Sequence, residues 1–138
     1  MNRTHLSVVM AVLACLLTVP PTVLAEQPEY SCTWINHFDT ANDLPDCDDD
    51  TDQTKAWLGS RGYAQRFVWS EDFVWDIDFD ISNSGYEGLD EADFHIHSGH
   101  GGVGTILLAD GSHVTGSDVF GHWDWDSEWV FLYTCLTL

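Results

Sequence analysis

Two short motifs in this sequence carry residue types that do nucleophilic chemistry. His100-Gly101 follows the apolar stretch Ala92–His97, and Cys135 ends the apolar run that begins at Glu128. A thiolate can attack a carbonyl carbon, and an imidazole can accept the proton and later deliver it. Backbone N–H groups of Gly101 and Cys135 would bind the oxyanion, and a glycine allows the substrate close to the backbone. The sequence therefore predicts a catalytic His100/Cys135 dyad.

Strands must position both motifs if they are to act together. Ala92–His97 reads as one strand, and the unbroken apolar run Glu128–Cys135 predicts a strand buried on both faces of a parallel sheet. In open α/β sheets, sites form at the carboxyl ends of the strands. If the two strands are parallel neighbours, His100 and Cys135 share one crevice. We therefore expect an α/β domain with a mostly parallel sheet.

Both motifs resemble a known group of enzymes. Ala92-Asp93-Phe94-His95-Ile96-His97-Ser98-Gly99-His100-Gly101 and Trp129-Val130-Phe131-Leu132-Tyr133-Thr134-Cys135 resemble the caspase, legumain and gingipain group (clan CD) of cysteine peptidases. They resemble more closely an uncharacterised prokaryotic family with the same dyad. The resemblance covers about residues 60–138, and Trp69–Phe79 also fits it. It implies a three-layer caspase-like domain, a peptide or protein substrate, no cofactor, and catalysis by His100 and Cys135.

The sequence also departs from the pattern of those peptidases. Thr134 stands before the cysteine where they usually have Ala, and the Gln-Ala-Cys of caspases is absent. The sequence stops three residues after Cys135, whereas further strands and helices follow the cysteine in that fold. We therefore expect the domain to be incomplete at its C-terminus, and the peptidase activity of this chain stays an open question at this point.

Two other functions remain open. His95-x-His97-x-x-His100 resembles the His-x-His-x-Asp-His signature of metallo-β-lactamase-type hydrolases, with Gly99 in place of the Asp. Three imidazoles would suit zinc in a metal-dependent hydrolase. The other alternative is a non-catalytic secreted or surface module whose dyad is a relic. The dyad reading itself requires no metal.

The remaining segments predict further elements. Thr51–Leu58 reads as a short helix with Asp52 near its positive end and glycines after it. Phe73–Ile81 alternates apolar and acidic residues with a period of two, which predicts a half-buried strand with an Asp row facing water. Asp110-Gly111 predicts a tight hairpin turn between 104–109 and 112–115.

The N-terminal residues predict export. Arg3 precedes an apolar run of about 14 residues, shorter than the ~20 that a spanning helix needs, and Ala25 marks a cleavage site. The alternative is an uncleaved membrane anchor; no later segment is apolar enough to span a bilayer. We expect a signal peptide at 1–25, an acidic loop-rich segment at 26–58, and a partial caspase-like domain at 59–138 that is secreted or held at the cell surface.

An exported chain meets oxidising conditions, which makes its cysteines candidates for a disulfide. Cys32 and Cys47 would close a loop of about 15 residues, and such a bond contributes roughly 3 kcal/mol. Cys135 would then be the odd thiol among the exported residues, as a nucleophile requires.

The charge balance is extreme. The chain has 23 acidic residues against four Lys and Arg, for a net charge of −19. This excludes the basic patch that a nucleic-acid partner needs. Screening of self-repulsion by concentrated salt favours a protein adapted to a hypersaline habitat. A cation-binding acidic protein in ordinary salt is the alternative.

Stability is therefore expected to depend on salt. Across a salt series followed by circular dichroism, the unfolding temperature should rise towards molar salt, where the Debye length falls to about 3 Å and the repulsion among 23 acids is screened. Equal thermal stability at low and molar salt would remove the halophilic interpretation.

Overall fold

The computed structural model describes residues 26–80, 88–123 and 126–135, so the predicted signal peptide at 1–25 lies outside the described residues. The elements are, in chain order, β1 (Glu29–Trp34), α1 (Cys47–Ser60), β2 (Ala64–Ser70), 3-10 turns at Glu71–Phe73, Asp76–Phe79 and Leu89–Glu91, β3 (Phe94–Ser98), β4 (Gly101–Gly102), β5 (Thr105–Leu107), β6 (His113–Thr115) and β7 (Trp129–Tyr133). A parallel sheet has the order β2-β1-β3-β7, and a small antiparallel sheet has the order β4-β5-β6. This confirms the predicted α/β class.

The centre of the parallel sheet comes from a segment that was expected to be loop-rich. Strand β1 lies between β2 and β3, and its residues Tyr30 to Thr33 are all buried. Buried Ser and Thr hydroxyls interrupt its apolar pattern, which is why the periodicity did not reveal it. The segment 26–58 therefore supplies a strand and a helix to the core.

Helix α1 covers one face of the sheet. Leu58 packs with Tyr30, Cys32 and Ile96. The helix begins four residues before the predicted Thr51, where three Asp in its first turn favour the positive end of the helix dipole. It ends near Gly62, whose φ of 91° is left-handed. No helix within the described ranges is long and apolar enough to cross a membrane.

The predicted strand Phe73–Ile81 is wrong, and Ile81 itself lies outside the described residues. The segment forms 3-10 turns, and the carboxylate of Asp78 accepts the N–H of Trp75 at 2.7 Å. Asp78 is therefore fully buried and does not face water. Phe79 is fully buried against the second face of the sheet, with Ile35 and residues of the small sheet. Local side-chain bonds to the backbone thus overrode the period-two pattern.

The predicted hairpin is present, but strand pairing stops at Leu107 and His113, so its loop is longer than the two-residue turn expected for Asp110-Gly111. Strands β5 and β6 pair antiparallel around Asp110-Gly111. Gly111 has a φ of 88°, and its N–H donates to the carbonyl of Leu108 at 3.0 Å. Only a glycine takes up this conformation without strain. The hairpin, with Ile106 and Val114 buried, packs on the second face of the parallel sheet.

Strand β7 is present but is not buried on both faces as predicted. Among the described strands it lies at the edge of the sheet, and its residues alternate between exposed and half-buried. Trp129 is 60% exposed and Tyr133 is 52% exposed, while Phe131 stacks on Phe94 with ring centroids 4.9 Å apart. An apolar run shows that a strand is hydrophobic but not where it lies in the sheet, so the sequence did not distinguish an edge strand from a central one.

Candidate active site at the carboxyl edge of the sheet

The structure brings the two predicted catalytic residues to one edge of the sheet. Strands β3 and β7 are parallel neighbours, with Ser98 opposite Tyr133. The N–H of Gly99 donates to the carbonyl of Tyr133 at 3.3 Å, so the pairing continues past the ends of both strands. His100 and Cys135 each follow two residues after those paired positions. Their predicted placement is confirmed, while their roles remain a prediction.

A backbone carbonyl and an aromatic ring hold the imidazole of His100. Its Nε2 lies 2.7 Å from the carbonyl oxygen of Asn42, and its ring centroid lies 4.6 Å from that of Phe38. A carbonyl oxygen only accepts hydrogen bonds, so Nε2 must carry a proton. In the neutral imidazole, Nδ1 is then the nitrogen that can accept one. The contact leaves His100 in the tautomer of a base that works through Nδ1.

Gly101 fits where no other residue would. A Cβ built on it would lie 2.8 Å from the carbonyl oxygen of Thr105 and 2.9 Å from the side chain of Thr134. The backbone after the histidine is therefore pressed against the residue that precedes the cysteine. This close approach gives a physical reason for the His-Gly pair, because a side chain would separate the two strand ends.

Cys135 is exposed and opens on a cleft of about 510 Å³. It is lined by Asp46, Cys47 and Asp50 at the beginning of α1, by Thr134-Cys135 after β7, and by Ser98 and Gly99 at the end of β3, which we call its floor. Asp50 and the hydroxyl of Ser98 are hydrogen-bonded at 3.3 Å across the floor. The cleft is large enough for a side chain of a bound peptide.

The predicted Cys32–Cys47 disulfide is not formed, since both thiols are free. Cys32 points into the core under α1 and pairs with Ile96 in the strand register. Cys47 instead lies at the cleft beside Ser98, about two residues or 6–7 Å further along the strand direction. Burial raises the pKa of Cys32 to about 12, so its thiol is not available as a nucleophile.

A row of hydrogen-bonded polar side chains runs beneath the site on the second face of the sheet. Ser31 Oγ lies 2.7 Å from His95 Nδ1, and Thr33 Oγ1 lies 3.2 Å from His95 Nε2 and 2.9 Å from His97 Nδ1. Both imidazoles are completely buried, and burial lowers the pKa of each to about 3. They are therefore neutral at pH 7.

The far end of this row lies against the turn that carries the candidate base. Among the described residues, His97 Nε2 has no hydrogen-bond partner. A Cβ built on Gly99 would lie only 2.9 Å from it. Gly99 is therefore required for the turn to pass over His97.

The three-histidine zinc site is not formed. His95 and His97 direct ring nitrogens at the hydroxyls of β1, whereas His100 is held by Asn42. In the part of the chain that the structure describes, no three His, Cys, Asp or Glu side chains lie close enough together to hold a metal ion. The i, i+2 spacing placed His95 and His97 on one face but did not decide where their nitrogens point.

Three contributors to the site were missed from the sequence. The Asn42 carbonyl has no sequence signature, because any residue supplies one. Ser31 and Thr33 did leave a signal, since their period-two spacing matches that of His95 and His97 on the adjacent strand. Recognition of β1 as a strand would have revealed that match.

Comparison with known proteins adds a family and no function. A family model described as "Domain of unknown function (DUF6345)" matches residues 32–138. That range contains the cleft, His100 and Cys135. A search of curated proteins finds no match to the chain.

Proposed function

This chain belongs to the family described as Domain of unknown function (DUF6345), and we propose that it is a caspase-like cysteine peptidase. Cys135 is its nucleophile and His100 its general base. One observation carries the proposal: a His-Gly turn and an exposed thiol that borders a cleft follow neighbouring parallel strands at the same end of one sheet. The substrate class, a peptide or protein, follows from the resemblance of the two motifs to that peptidase group.

The proposed reaction is acyl transfer at a peptide carbonyl. The Sγ of Cys135 attacks the carbonyl carbon, and its proton passes to Nδ1 of His100, because Nε2 donates to the carbonyl of Asn42. The N–H groups of Gly101 and Cys135 bind the oxyanion. His100 then returns the proton to the leaving amine, and water hydrolyses the thioester that remains on Cys135.

The surroundings of the dyad support this assignment. Cys32 lies in the core and Cys47 is buried at the wall of the cleft, so Cys135 is the one exposed thiol among the described residues. The close contact between Gly101 and Thr134 keeps the histidine turn against the cysteine turn. Groups held close together in this way react faster than the same thiol and imidazole free in solution.

A non-catalytic module with a relic dyad is the second candidate. It is favoured by the ring of His100, which packs on Phe38 and hydrogen-bonds Asn42 while Cys135 lies on the cleft. In the active enzyme, substrate binding would have to bring His100 and Cys135 into contact, since catalytic contacts are often long at unliganded sites.

The test is the rate at which Cys135 reacts with a peptidyl electrophile at neutral pH and molar salt. We expect Cys135 to react faster than free cysteine, and His100→Ala to lower the rate by about 10²-fold or more, the usual contribution of a general base. The matched control is His113→Ala, because His113 is exposed on the hairpin. Equal rates for the parent chain, His100→Ala and free cysteine would identify the non-catalytic module.

We further propose that the protein works outside the cell in concentrated salt. The N-terminal 1–25 pattern and the net charge of −19 support this setting. A sharp test is the N-terminal sequence of protein recovered from the medium of an expressing, salt-adapted host. It should begin at Glu26, whereas recovery in the membrane fraction with an intact N-terminus would support the anchor.

A further inference from the structure

The cleft contains a second thiol that the proposed mechanism does not use. Cys47, the first residue of α1, lines the same cleft as Thr134-Cys135. Its thiol interacts with the hydroxyl of Ser98 at the floor of the cleft. Ser98 is in turn paired in register with Tyr133, two residues before Cys135. Two free thiols thus border one cleft, and the third described cysteine is buried in the core.

We propose that Cys47 and Cys135 form a disulfide across this cleft when the protein meets a small-molecule disulfide such as oxidised glutathione. Cys135 is exposed and follows the edge strand in a short turn, so it can move towards Cys47 without disturbing a packed element. Cys47 cannot move in this way, because its N–H is bonded to the side chain of Asn36 at 3.0 Å and its residue begins the helix.

The exchange balances in two steps. The thiolate of Cys135 attacks one sulfur of oxidised glutathione, which forms a mixed disulfide and releases one glutathione thiolate. Burial raises the pKa of the Cys47 thiol and the hydrogen bond with Ser98 acts against this rise, so the fraction of Cys47 that is thiolate carries the second step. It attacks the sulfur of Cys135, which forms the protein disulfide and releases the second glutathione thiolate. The two cysteine protons pass to solvent. The oxidant is reduced to two glutathione molecules, and the cleft is bridged.

The bond itself does not depend on the proposed function, but its consequence does. If Cys135 is the nucleophile, the bridge blocks it and occupies the cleft, so the oxidised protein is latent and reduction activates it. An exported protein would then be held inactive under oxidising conditions until a thiol reductant reached it.

Mass spectrometry of the full chain tests the bond. After incubation with oxidised glutathione in molar salt, we expect the intact mass to fall by two hydrogen atoms. A non-reducing peptide map should join the peptides of Cys47 and Cys135. Cys47→Ser should instead retain one glutathione on Cys135, and the control Cys32→Ser should still form the bridge. A stable glutathione adduct on Cys135 of the parent chain, or a Cys32–Cys47 bridge, would overturn the proposal.

The two proposals fail separately. A Cys47–Cys135 bridge in a protein whose reduced Cys135 shows no excess reactivity would sustain this inference and refute the peptidase. Excess reactivity of Cys135 without any Cys47–Cys135 bridge would support the peptidase and refute the disulfide. Circular dichroism of each variant, compared with that of the parent chain, checks that the variant is folded. The map of the parent chain tests the bridge even if a variant does not fold.

Discussion

Acidification from neutral pH to about pH 5 is expected to destabilise this protein by about 4 kcal/mol, with the uptake of two protons on unfolding. The cause is the pair His95 and His97, which are completely buried and whose pKa values burial lowers from 6.5 to about 3. Their nitrogens face Ser31 and Thr33, which are neutral hydroxyls, and among the described residues no carboxylate is hydrogen-bonded to either imidazole.

The direction follows from which state binds the proton. Well above pH 6.5 both imidazoles are neutral in the folded and the unfolded chain, so their burial does not make the free energy of unfolding depend on pH. Between pH 6.5 and about 3 the unfolded chain binds protons that the folded chain does not, so stability falls with falling pH. At about 1.5 units below the unfolded pKa, each imidazole costs about 2 kcal/mol.

Another histidine works in the opposite direction, but weakly. The hydrogen bond from His37 to Asp43 raises the pKa of His37, so this pair adds stability below the unfolded pKa of 6.5 and loses it as pH rises. Both side chains are largely exposed, and molar salt screens such pairs. Hydrogen bonds lower the pKa values of Asp48, Asp110 and Asp118, and the stability that these add is lost only as pH falls below the ordinary Asp pKa of 3.8.

Denaturant unfolding at several pH values and constant molar salt measures the effect. The free energy of unfolding should rise between pH 5 and pH 6 with the slope of two protons. His97→Gln, which cannot titrate, should show the slope of one proton, and the exposed control His113→Ala should keep the slope of two. A flat profile for the parent chain across this range would contradict the burial of the two neutral imidazoles.

Phe79→Ala is expected to destabilise the protein by about 3–5 kcal/mol, whereas Phe73→Ala should change stability by less than about 0.5 kcal/mol. Phe79 is fully buried, and its ring meets those of His95 and His97 edge-on at 5.9 and 5.2 Å. Phe73 is 69% exposed. Truncation of Phe79 leaves a cavity under the polar row, but truncation of Phe73 removes surface that already faces water.

This pair of variants also discriminates between the strand predicted from sequence and the structure. In a half-buried strand over Phe73–Ile81, both phenylalanines would lie on the same apolar face and their truncations would cost similar amounts. Urea unfolding of the two variants, with circular dichroism as the signal, measures the difference directly. Similar losses for Phe73→Ala and Phe79→Ala would show that this segment does not form the 3-10 turns of the structure.

The sequence alone determined the features that depend on local chemistry. The Asp110-Gly111 turn could be predicted because its left-handed glycine and pairing are encoded within a few residues. The placement of His100 and Cys135 at one edge could be predicted because two apolar runs, each ending in a reactive residue, become parallel neighbours in an α/β sheet. Both inferences needed only strand polarity and order.

Only the tertiary structure decided which surfaces meet. The apolar run of β7 is compatible with an edge strand as well as with a central strand, since the burial of a strand depends on what packs against it. The loop between Cys32 and Cys47 has a favourable length for a disulfide. In the folded protein, however, the Cys32 thiol lies in the core and the Cys47 thiol lies at the cleft. His95 and His97 resembled metal ligands until their neighbours on β1 were known. Spacing along a chain fixes the face on which a side chain lies, whereas its partner comes from another strand, distant in sequence, whose register only the folded sheet sets.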